Sequence, residues 1–300
     1  YGLKGNCIGV TLPRRIGVIS VASRVADEVG TLLGHAVGYS VRFNSKFNQG
    51  TCIKYLTDGS LVREIMQDPL LKKYSVIMID DVHERSVSTD LLMGLLRKIR
   101  RKRTDLKLVI SSATIEAGKL ARYFEDKEIG LETKVMCIQG RVYPVKNYFL
   151  DHSVKNYLTA AASLIKDIHL EKPNGDILVF LPGVEEIETV QALITDLTPV
   201  PIILQLHAKL SLEKQVQVFK KISTDKSSPY LPKGKIILAT NIAESSVTID
   251  GIVFVIDCCF QKVKFYDYFK GLDLLVTIPV SKANAMQRAG RAGRTKGKLN

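Results

Sequence analysis

The chain has 300 residues, 46% of them hydrophobic, and 43 lysines and arginines outnumber 30 acidic residues to give a net charge of +13. This excess favours a polyanionic partner, with nucleic acid first and an anionic membrane surface second, because each neutralised phosphate releases a condensed counterion. The sequence has no apolar run of about 18 residues and no charged-then-apolar leader, which disfavours the membrane. Its five cysteines lack zinc-like spacing, so we expect buried thiols in a reducing compartment.

Short runs rich in valine and isoleucine alternate with longer amphipathic stretches, which predicts β-α units that build parallel sheets. In the first half the predicted elements are, in chain order, strand Cys7–Leu12, helix Ile16–Leu33, strand Thr51–Leu56, helix Ser60–Met66, strand Val76–Asp80, helix Thr89–Arg101, strand Lys107–Ser111 and helix Ala117–Phe124.

A segment without helical periodicity, residues 139–151, carries Gly140 and Pro144 and predicts a domain boundary, with domains at 1–144 and 145–300. The second half then continues with helix Val154–Leu170, strand Asp176–Leu181, helix Val184–Asp196, strand Ile202–Leu206, helix Ser211–Ile222, strands Lys235–Ala239 and Ile252–Ile256, a β-hairpin within Gln261–Thr277 and helix Lys282–Gly290.

Several predicted strands end in small polar or acidic residues, as in Ile79-Asp80-Asp81, Ile110-Ser111-Ser112 and Ala239-Thr240-Asn241. Ligands bind at the carboxyl ends of strands in open parallel sheets, so these residues predict a binding crevice. An aspartate there suits Mg²⁺, which takes one or two protein carboxylates alongside phosphate oxygens. The alternative for Asp80 and Asp81 is a helix cap beside a solvated carboxylate.

Seven ordered segments make a resemblance specific: TLPRR at 11–15, TDGSL at 57–61, DDVHERS at 80–86, SSAT at 111–114, FLPGVEEIE at 180–188, ATNIAESSVTIDG at 239–251 and QRAGRAGR at 287–294. Together they resemble the motifs of DEAH-box ATP-dependent RNA helicases, closest to the spliceosome-associated branch. The resemblance implies two tandem RecA-like domains with mainly parallel sheets and a β-hairpin that projects from the second.

The resemblance also implies roles for individual residues around ATP and Mg²⁺. The catalytic set is Asp80, Asp81, His83, Gln287, Arg291 and Arg294, with Asp80 and Asp81 at the metal. The nucleotide-binding set is Arg24, Ser112, Thr114, Phe219 and Asp250. Arg288, Arg291 and Arg294 follow i, i+3, i+6 spacing, which would align them along one side of a helix, with a solvated basic helix end as the alternative.

Contacts with a single-stranded RNA backbone are implied for a third set: Arg14, Arg15, Thr57, Asp58, Gly59, Gly183, Thr240 and Asn241. Backbone contacts fix position without reading sequence, so we expect sequence-independent binding. A second basic run, Arg97–Arg103, ends a predicted helix and is interpreted as a solvated face rather than an RNA patch.

The sequence departs from the family pattern at two functional points. It contains no G-x-x-x-x-G-K-[ST] phosphate-binding loop and begins with Tyr1, so we expect a fragment, truncated at both ends, that hydrolyses ATP poorly by itself. The family's catalytic glutamate is Asp81 here, which shortens the carboxylate arm by one methylene.

We therefore expect the motor core of an ATP-dependent RNA helicase that moves 3′ to 5′ and remodels RNA or RNA–protein complexes, with pre-mRNA splicing as the expected setting. The chain should act as a monomer in the nucleus, with the cytoplasm left open, alongside spliceosomal or activator proteins and away from membranes. The alternatives are a catalytically degenerate RNA-binding module and a DNA translocase.

Overall fold

The computed structural model describes residues 7–113, 117–126, 128, 130, 132–138, 143–171, 175–219, 234–244 and 249–294. The chain divides into two compact units, residues 1–139 and 140–300. Each unit is built from helices and a mostly parallel sheet, as the sequence predicted for the fold class. Among the described residues, no helix is both long and apolar enough to cross a membrane.

The first unit contains a six-stranded sheet with the strand order β3-β2-β4-β1-β5-β6, in which only the β2–β3 pair is antiparallel. Its strands are β1 Cys7–Leu12, β2 Val37–Val41, β3 Asn44–Lys46, β4 Ile53–Thr57, β5 Tyr74–Ile79 and β6 Lys107–Ile110. Its helices are α1 Arg15–Val29, α2 Asp58–Gln67, α3 Val87–Lys102 and α4 Ala117–Phe124.

The main core of the first unit lies between β5 and helices α2 and α3. Leu61 of α2, Ile77 of β5 and Leu92 of α3 are fully buried in one apolar cluster. Burying each such side chain contributes about 1.5–3 kcal/mol. At the start of α3, Ser86 caps the helix by accepting a hydrogen bond from the Thr89 amide. This packing fixes the two helices that begin at the carboxyl edge of the sheet.

The second unit contains a four-stranded parallel sheet with the order β10-β7-β9-β8 and a separate antiparallel hairpin, β11–β12. Its strands are β7 Asp176–Phe180, β8 Ile202–Leu206, β9 Lys235–Ala239, β10 Ile252–Asp257, β11 Phe260–Asp267 and β12 Leu272–Pro279. Its helices are α5 Tyr157–Glu171, α6 Val184–Leu193, α7 Leu212–Gln217 and α8 Lys282–Ala289.

The hairpin predicted within Gln261–Thr277 is present, and every residue of β12 is exposed. Behind it, the sheet of the second unit is covered by α5 and α6, with Ile165, Val179 and Ile187 fully buried in one cluster. Because β12 is exposed whereas the sheet is buried, the hairpin can contact a partner.

Two helices differ from their predicted ranges, and the first difference has a clear physical cause. Helix α1 was predicted to reach Leu33 but ends at Val29, because Gly30 adopts a left-handed conformation with φ of 72° and its amide bonds back to the last turn. Helix α7 was predicted to run from Ser211 to Ile222 and is helical over Leu212–Gln217, and residues 220–222 lie outside the described residues.

Candidate functional site

The carboxyl ends of β4, β1, β5 and β6 lie along one edge of the first unit's sheet, since these strands are parallel neighbours. Backbone hydrogen bonds continue the alignment past the strands: the Asp80 amide donates to the Thr11 carbonyl at 3.0 Å, and the Ser111 amide donates to the Ile79 carbonyl at 2.9 Å. The polar residues that follow β5 and β6 are therefore brought to one place, next to the end of β1. Thr240 and Asn241, which follow the third strand of the predicted crevice, lie in the second unit, and the crevice remains a prediction.

Asp80 and Asp81 form the turn that leaves β5. The Asp81 amide donates to Asp80 Oδ1 at 3.0 Å, and Asp81 has a left-handed backbone with φ of 54° and ψ of 35°. Aspartate adopts this region more readily than most side chains. Residues in such sparsely populated conformations are often found at functional sites, and here the conformation directs the chain into the short 3₁₀ turn Val82–Glu84.

That 3₁₀ turn is tied to the strand end that follows β6. The Val82 amide donates to the Ser111 carbonyl at 3.2 Å, and the Ala113 amide donates to His83 Nδ1 at 3.4 Å. His83 thus bridges the acidic turn and the SSAT segment. Ser112 is exposed beside this contact, whereas Thr114 lies outside the described residues.

The donor set at Asp80–Asp81 fits a magnesium ion. Two adjacent carboxylates at a strand end can supply the one or two protein ligands that Mg²⁺ takes, with water and phosphate oxygens filling the other positions. No cluster of three or more metal-binding side chains occurs within the part of the chain that the structure describes. The arrangement therefore suits a metal shared with a phosphate rather than one enclosed by protein.

Arg14 lies directly after β1 and before α1, at the same edge of the sheet. Its Nε donates to both carboxylate oxygens of Glu84, at 3.1 and 3.2 Å, and both side chains are half-buried. Arg15, the first residue of α1, is exposed. The two arginines predicted to contact RNA therefore differ, since one is already engaged by a carboxylate and the other faces solvent.

The three residues of the TDG segment, at the start of α2, lie in different environments. Thr57 is half-buried, with its hydroxyl 2.7 Å from that of Ser60, and Gly59 is exposed. Asp58 is only 1% exposed, and its Oδ2 accepts a hydrogen bond from the Thr89 hydroxyl at 2.5 Å. We predicted that Asp58 contacts RNA, but its burial against α3 gives it a structural role, holding the start of α2 in place.

Arg24 was predicted to contact a nucleotide base from the first unit. It is exposed on α1 and pairs one turn along with Glu28, Nε to Oε1 at 2.6 Å. Such an exposed i, i+4 pair contributes about 0.3–0.5 kcal/mol. It therefore leaves the guanidinium available to another partner at little cost.

In the second unit, the edge formed by the ends of β7, β9 and β8 carries the predicted RNA-binding residues. The Thr240 amide donates to the Leu206 carbonyl at 3.1 Å, and Asn241 begins a 3₁₀ turn. Gly183 lies just before α6, close to Lys262 of β11, whose Nζ is 3.0 Å from a carboxylate oxygen of Glu186. This ion pair anchors the base of the hairpin beside the same edge.

The arginine motif is not the single helical stripe that we predicted. Helix α8 ends at Ala289, so Arg288 lies on the helix whereas Arg291 and Arg294 lie in the turns after it. Arg288 is 1% exposed, Arg291 is 5% exposed and Arg294 faces solvent. Gln287 is half-buried on α8. The glycine at position 290 interrupts the helix, which gives the three arginines different surroundings.

Arg288, which had no separate role among the predictions, is the centre of a buried ion cluster. Its Nε donates to Glu244 Oε2 at 3.0 Å and its Nη1 donates to Asp257 Oδ1 at 2.9 Å, while its guanidinium lies 4.9 Å from the ring centre of Phe180. Arg291 in turn donates from Nη2 to the Glu244 carbonyl. The cluster thus ties the loop after β9, the end of β10 and the arginine motif together. In the sequence, the residue that could have indicated this ion cluster was Asp257, an acidic residue at the end of an apolar strand.

The remaining predicted residues of the second unit are half-buried. Asp250 lies in the turn before β10, where Gly251 has φ of 94°, and Phe219 follows α7 with its amide bonded to the Val216 carbonyl at 3.1 Å. The structure gives each a defined backbone position. Their predicted contacts with a nucleotide remain predictions.

The chain is similar to known proteins. Residues 160–296 match the helicase conserved C-terminal domain family. The chain is 43% identical to the human "Probable ATP-dependent RNA helicase DHX35", over 98% of this chain and 43% of that protein. It is 44% identical to the "Pre-mRNA-splicing factor ATP-dependent RNA helicase prp22" of Schizosaccharomyces pombe, over 98% of this chain and 25% of that protein. The chain therefore spans less than half the length of either relative.

A solved structure shares the fold. The crystal structure of the Escherichia coli DEAH/RHA helicase HrpB superposes with a TM-score of 0.82 and 34% sequence identity, over 97% of this chain and 36% of that chain. The likeness covers both compact units.

Proposed function

We propose that the chain, which is similar to DEAH-box RNA helicases, is the motor core of an ATP-dependent RNA helicase, with residues 1–144 and 145–300 as its two RecA-like domains. Hydrolysis of ATP would drive 3′-to-5′ movement along single-stranded RNA. The nuclear, splicing-related setting is supported by the similarity to prp22, which is a pre-mRNA-splicing factor. Spliceosomal or activator proteins are the expected partners of a monomeric chain.

The observation that carries the proposal is the joined edge of the first unit, where the Asp80–Asp81 turn, His83 and the Ser111–Ala113 segment are held by hydrogen bonds of 3.0 to 3.4 Å. Motor proteins of this kind depend on positioning and electrostatic stabilisation at transferring phosphates. Asp80 would hold Mg²⁺, and Asp81 would orient the attacking water. When bound, Mg²⁺ neutralises charge that builds up on the phosphates.

The second unit would contribute its arginines and Gln287. Arg291 and Arg294 would stabilise charge on the transferring phosphoryl group, and such a residue is worth on the order of 10³–10⁵ in rate. Ser112, Thr114, Arg24, Phe219 and Asp250 would bind or sense the nucleotide. Thr57, Gly59, Gly183, Thr240 and Asn241, with Arg14 and Arg15, would grip the RNA backbone.

A second candidate function, an RNA-binding module without ATP turnover, is favoured by Asp81. Its carboxylate arm is one methylene shorter than that of the family's glutamate, and misplacement by about 1 Å can cost about 10²-fold in rate. The two functions differ in ATP hydrolysis but not in RNA binding.

The test is RNA-stimulated ATP hydrolysis by the full-length gene product, as the natural protein and as Asp81→Glu. A motor predicts measurable stimulation by RNA, raised by up to about 10²-fold in Asp81→Glu. Arg291→Lys should abolish the stimulation, and Arg122→Lys, on the exposed surface of α4, should leave it unchanged. Background rates in the natural protein and in Asp81→Glu alike would reject the motor in favour of the RNA-binding module.

A further inference from the structure

The ion pair between Arg14 and Glu84 joins two segments of the first unit that the proposed function assigns to different ligands. Arg14 follows β1 among the RNA-binding residues, and Glu84 is the last residue of the 3₁₀ turn that follows the metal-binding aspartates. One guanidinium N–H is shared between both carboxylate oxygens, at 3.1 and 3.2 Å. The side chains are 24% and 17% exposed, so the pair is largely but not fully shielded from water.

A carboxylate and an RNA phosphate are alternative partners for the same guanidinium. Arginine presents planar N–H donors that fit the oxygens of either group. The Arg14 Nε cannot keep its bond to Glu84 while it donates at full strength to a phosphate. Glu84 therefore occupies the Nε donor of Arg14, which could otherwise bind a phosphate oxygen.

The same glutamate is connected to the nucleotide side through a restrained turn. Its amide donates to the Asp81 carbonyl at 3.0 Å, and the Arg85 amide donates to the Val82 carbonyl at 3.2 Å. Asp81 and Arg85, which flank the turn, have left-handed backbones with φ of 54° and 50°. Glu84 therefore belongs to the same restrained turn as Asp81 and His83.

We propose that Glu84 is a regulatory residue that competes with RNA for Arg14, so that RNA binding releases the glutamate and alters the turn carrying Asp81 and His83. The inference rests on the proposed RNA-binding function and adds to it the route by which RNA is sensed at the nucleotide site. The ligand class is the phosphate backbone of single-stranded RNA.

The inference is tested with the 300-residue chain and a fluorescein-labelled oligouridylate, whose binding is followed by anisotropy at low salt. Glu84→Gln removes the competing charge and keeps the shape of the side chain. We expect it to tighten RNA binding about threefold to tenfold. Arg14→Ala should weaken binding, and Glu84→Gln added to Arg14→Ala should bring no further gain, because two residues that act on one interaction are not additive.

The matched control is Glu28→Gln, which removes the same charge from another arginine–glutamate pair of this unit. Its smaller effect measures the change in overall charge alone. The inference is overturned if Glu84→Gln binds RNA as the natural chain does or more weakly, gains no more than Glu28→Gln, or still gains in the Arg14→Ala background. Circular dichroism melting of each variant verifies folding.

Failure of the proposed function gives a different pattern. The RNA contact assigned to Arg14 is wrong if the natural chain does not bind the oligouridylate, or if the Arg14→Ala variant binds it as tightly as the natural chain does. In either case the inference is rejected as well. If Arg14→Ala weakens binding while Glu84→Gln has no effect, the RNA grip stands and only the competition is rejected.

Discussion

The backbone amide of Ala113 donates a hydrogen bond to Nδ1 of His83 at 3.4 Å. Together with the hydrogen bond from the Val82 amide to the Ser111 carbonyl, this contact joins the turn after β5, which the proposed function assigns to the metal, to the segment after β6, which it assigns to the nucleotide. An imidazole nitrogen can accept only when it carries no proton, and the acceptor role therefore assigns the proton of the neutral ring to Nε2.

Replacing His83 by alanine should uncouple these two segments. In the full-length protein we expect His83→Ala to lower RNA-stimulated ATP hydrolysis by up to about 10²-fold through misplacement of the aspartates, with RNA affinity unchanged. His83→Asn offers an amide oxygen close to the position of Nδ1 and should retain most of the activity. Equal losses in both variants would show that the ring does more than accept the Ala113 hydrogen bond.

Removing the buried Arg288 should destabilise the second unit strongly. Arg288→Met keeps much of the volume but removes the cation that pairs with the buried Glu244 and the half-buried Asp257, at a cost of about 3–5 kcal/mol in the free energy of unfolding. The measurement is urea unfolding of the chain followed by circular dichroism, with hydrogen exchange of α8 and β10 to localise the loss.

The control for Arg288 is Lys264→Met on the hairpin, which breaks a solvent-exposed pair with Asp273, Nζ to Oδ2 at 2.6 Å. Exposed pairs are worth about 0–1 kcal/mol, so this change should scarcely move the transition. Similar losses in the two variants would contradict the structural importance assigned to the buried cluster.

The alternation of apolar strands and amphipathic helices was sufficient to predict the central strands, because buried parallel strands leave a strong apolar signal. Strands β1, β8 and β9 have the predicted bounds. Strands β2 and β3 were not predicted. Their alternation of apolar and polar residues is short, and Gly38 allows the two strands to lie so close that a Cβ there would be 2.6 Å from the Lys46 carbonyl oxygen.

Among the site residues, position along the chain was predictable but environment was not. Strand ends indicated Asp80, Thr240 and their neighbours. The burial of Asp58 and the pairing of Arg14 with Glu84 depend on contacts between residues separated by 31 and 70 positions. Such contacts carry no local sequence signal. The break in helix α8 at Gly290 likewise changed the environment of Arg291.

The hairpin tip carries two exposed aromatic rings, Tyr268 and Phe269, with centroids 4.2 Å apart. Exposed rings stack on nucleic-acid bases with about 1–3 kcal/mol per base. The double change to alanine should therefore weaken oligouridylate binding about fivefold or more. Leu272→Ala, at an exposed apolar residue of the same hairpin, is the control, and equal effects of the two variants would indicate apolar contact rather than stacking.

The buried Asp58 gives the first unit a predictable pH dependence. Burial raises the pKa of Asp58, although the Thr89 hydroxyl that donates to it acts in the opposite direction. The folded state therefore binds the proton of Asp58 more tightly than the unfolded chain does. The cost of its ionised form is present above the raised pKa and is relieved as the pH falls through that value towards the ordinary one near about 3.9.

We expect the difference in melting temperature, natural chain minus Asp58→Asn, to fall as the pH rises from about 4.5 to about 7. The altered hydrogen bond to Thr89 shifts this difference by a constant amount, so its slope with pH is the readout. Asp105→Asn is the flat control over this range, because the hydrogen bond from Arg103 lowers the pKa of Asp105 and its contribution to stability is lost only below the ordinary value of about 3.9. A flat Asp58 profile, or one with the slope of the Asp105 control, would contradict the burial of an ionisable carboxylate at the start of α2.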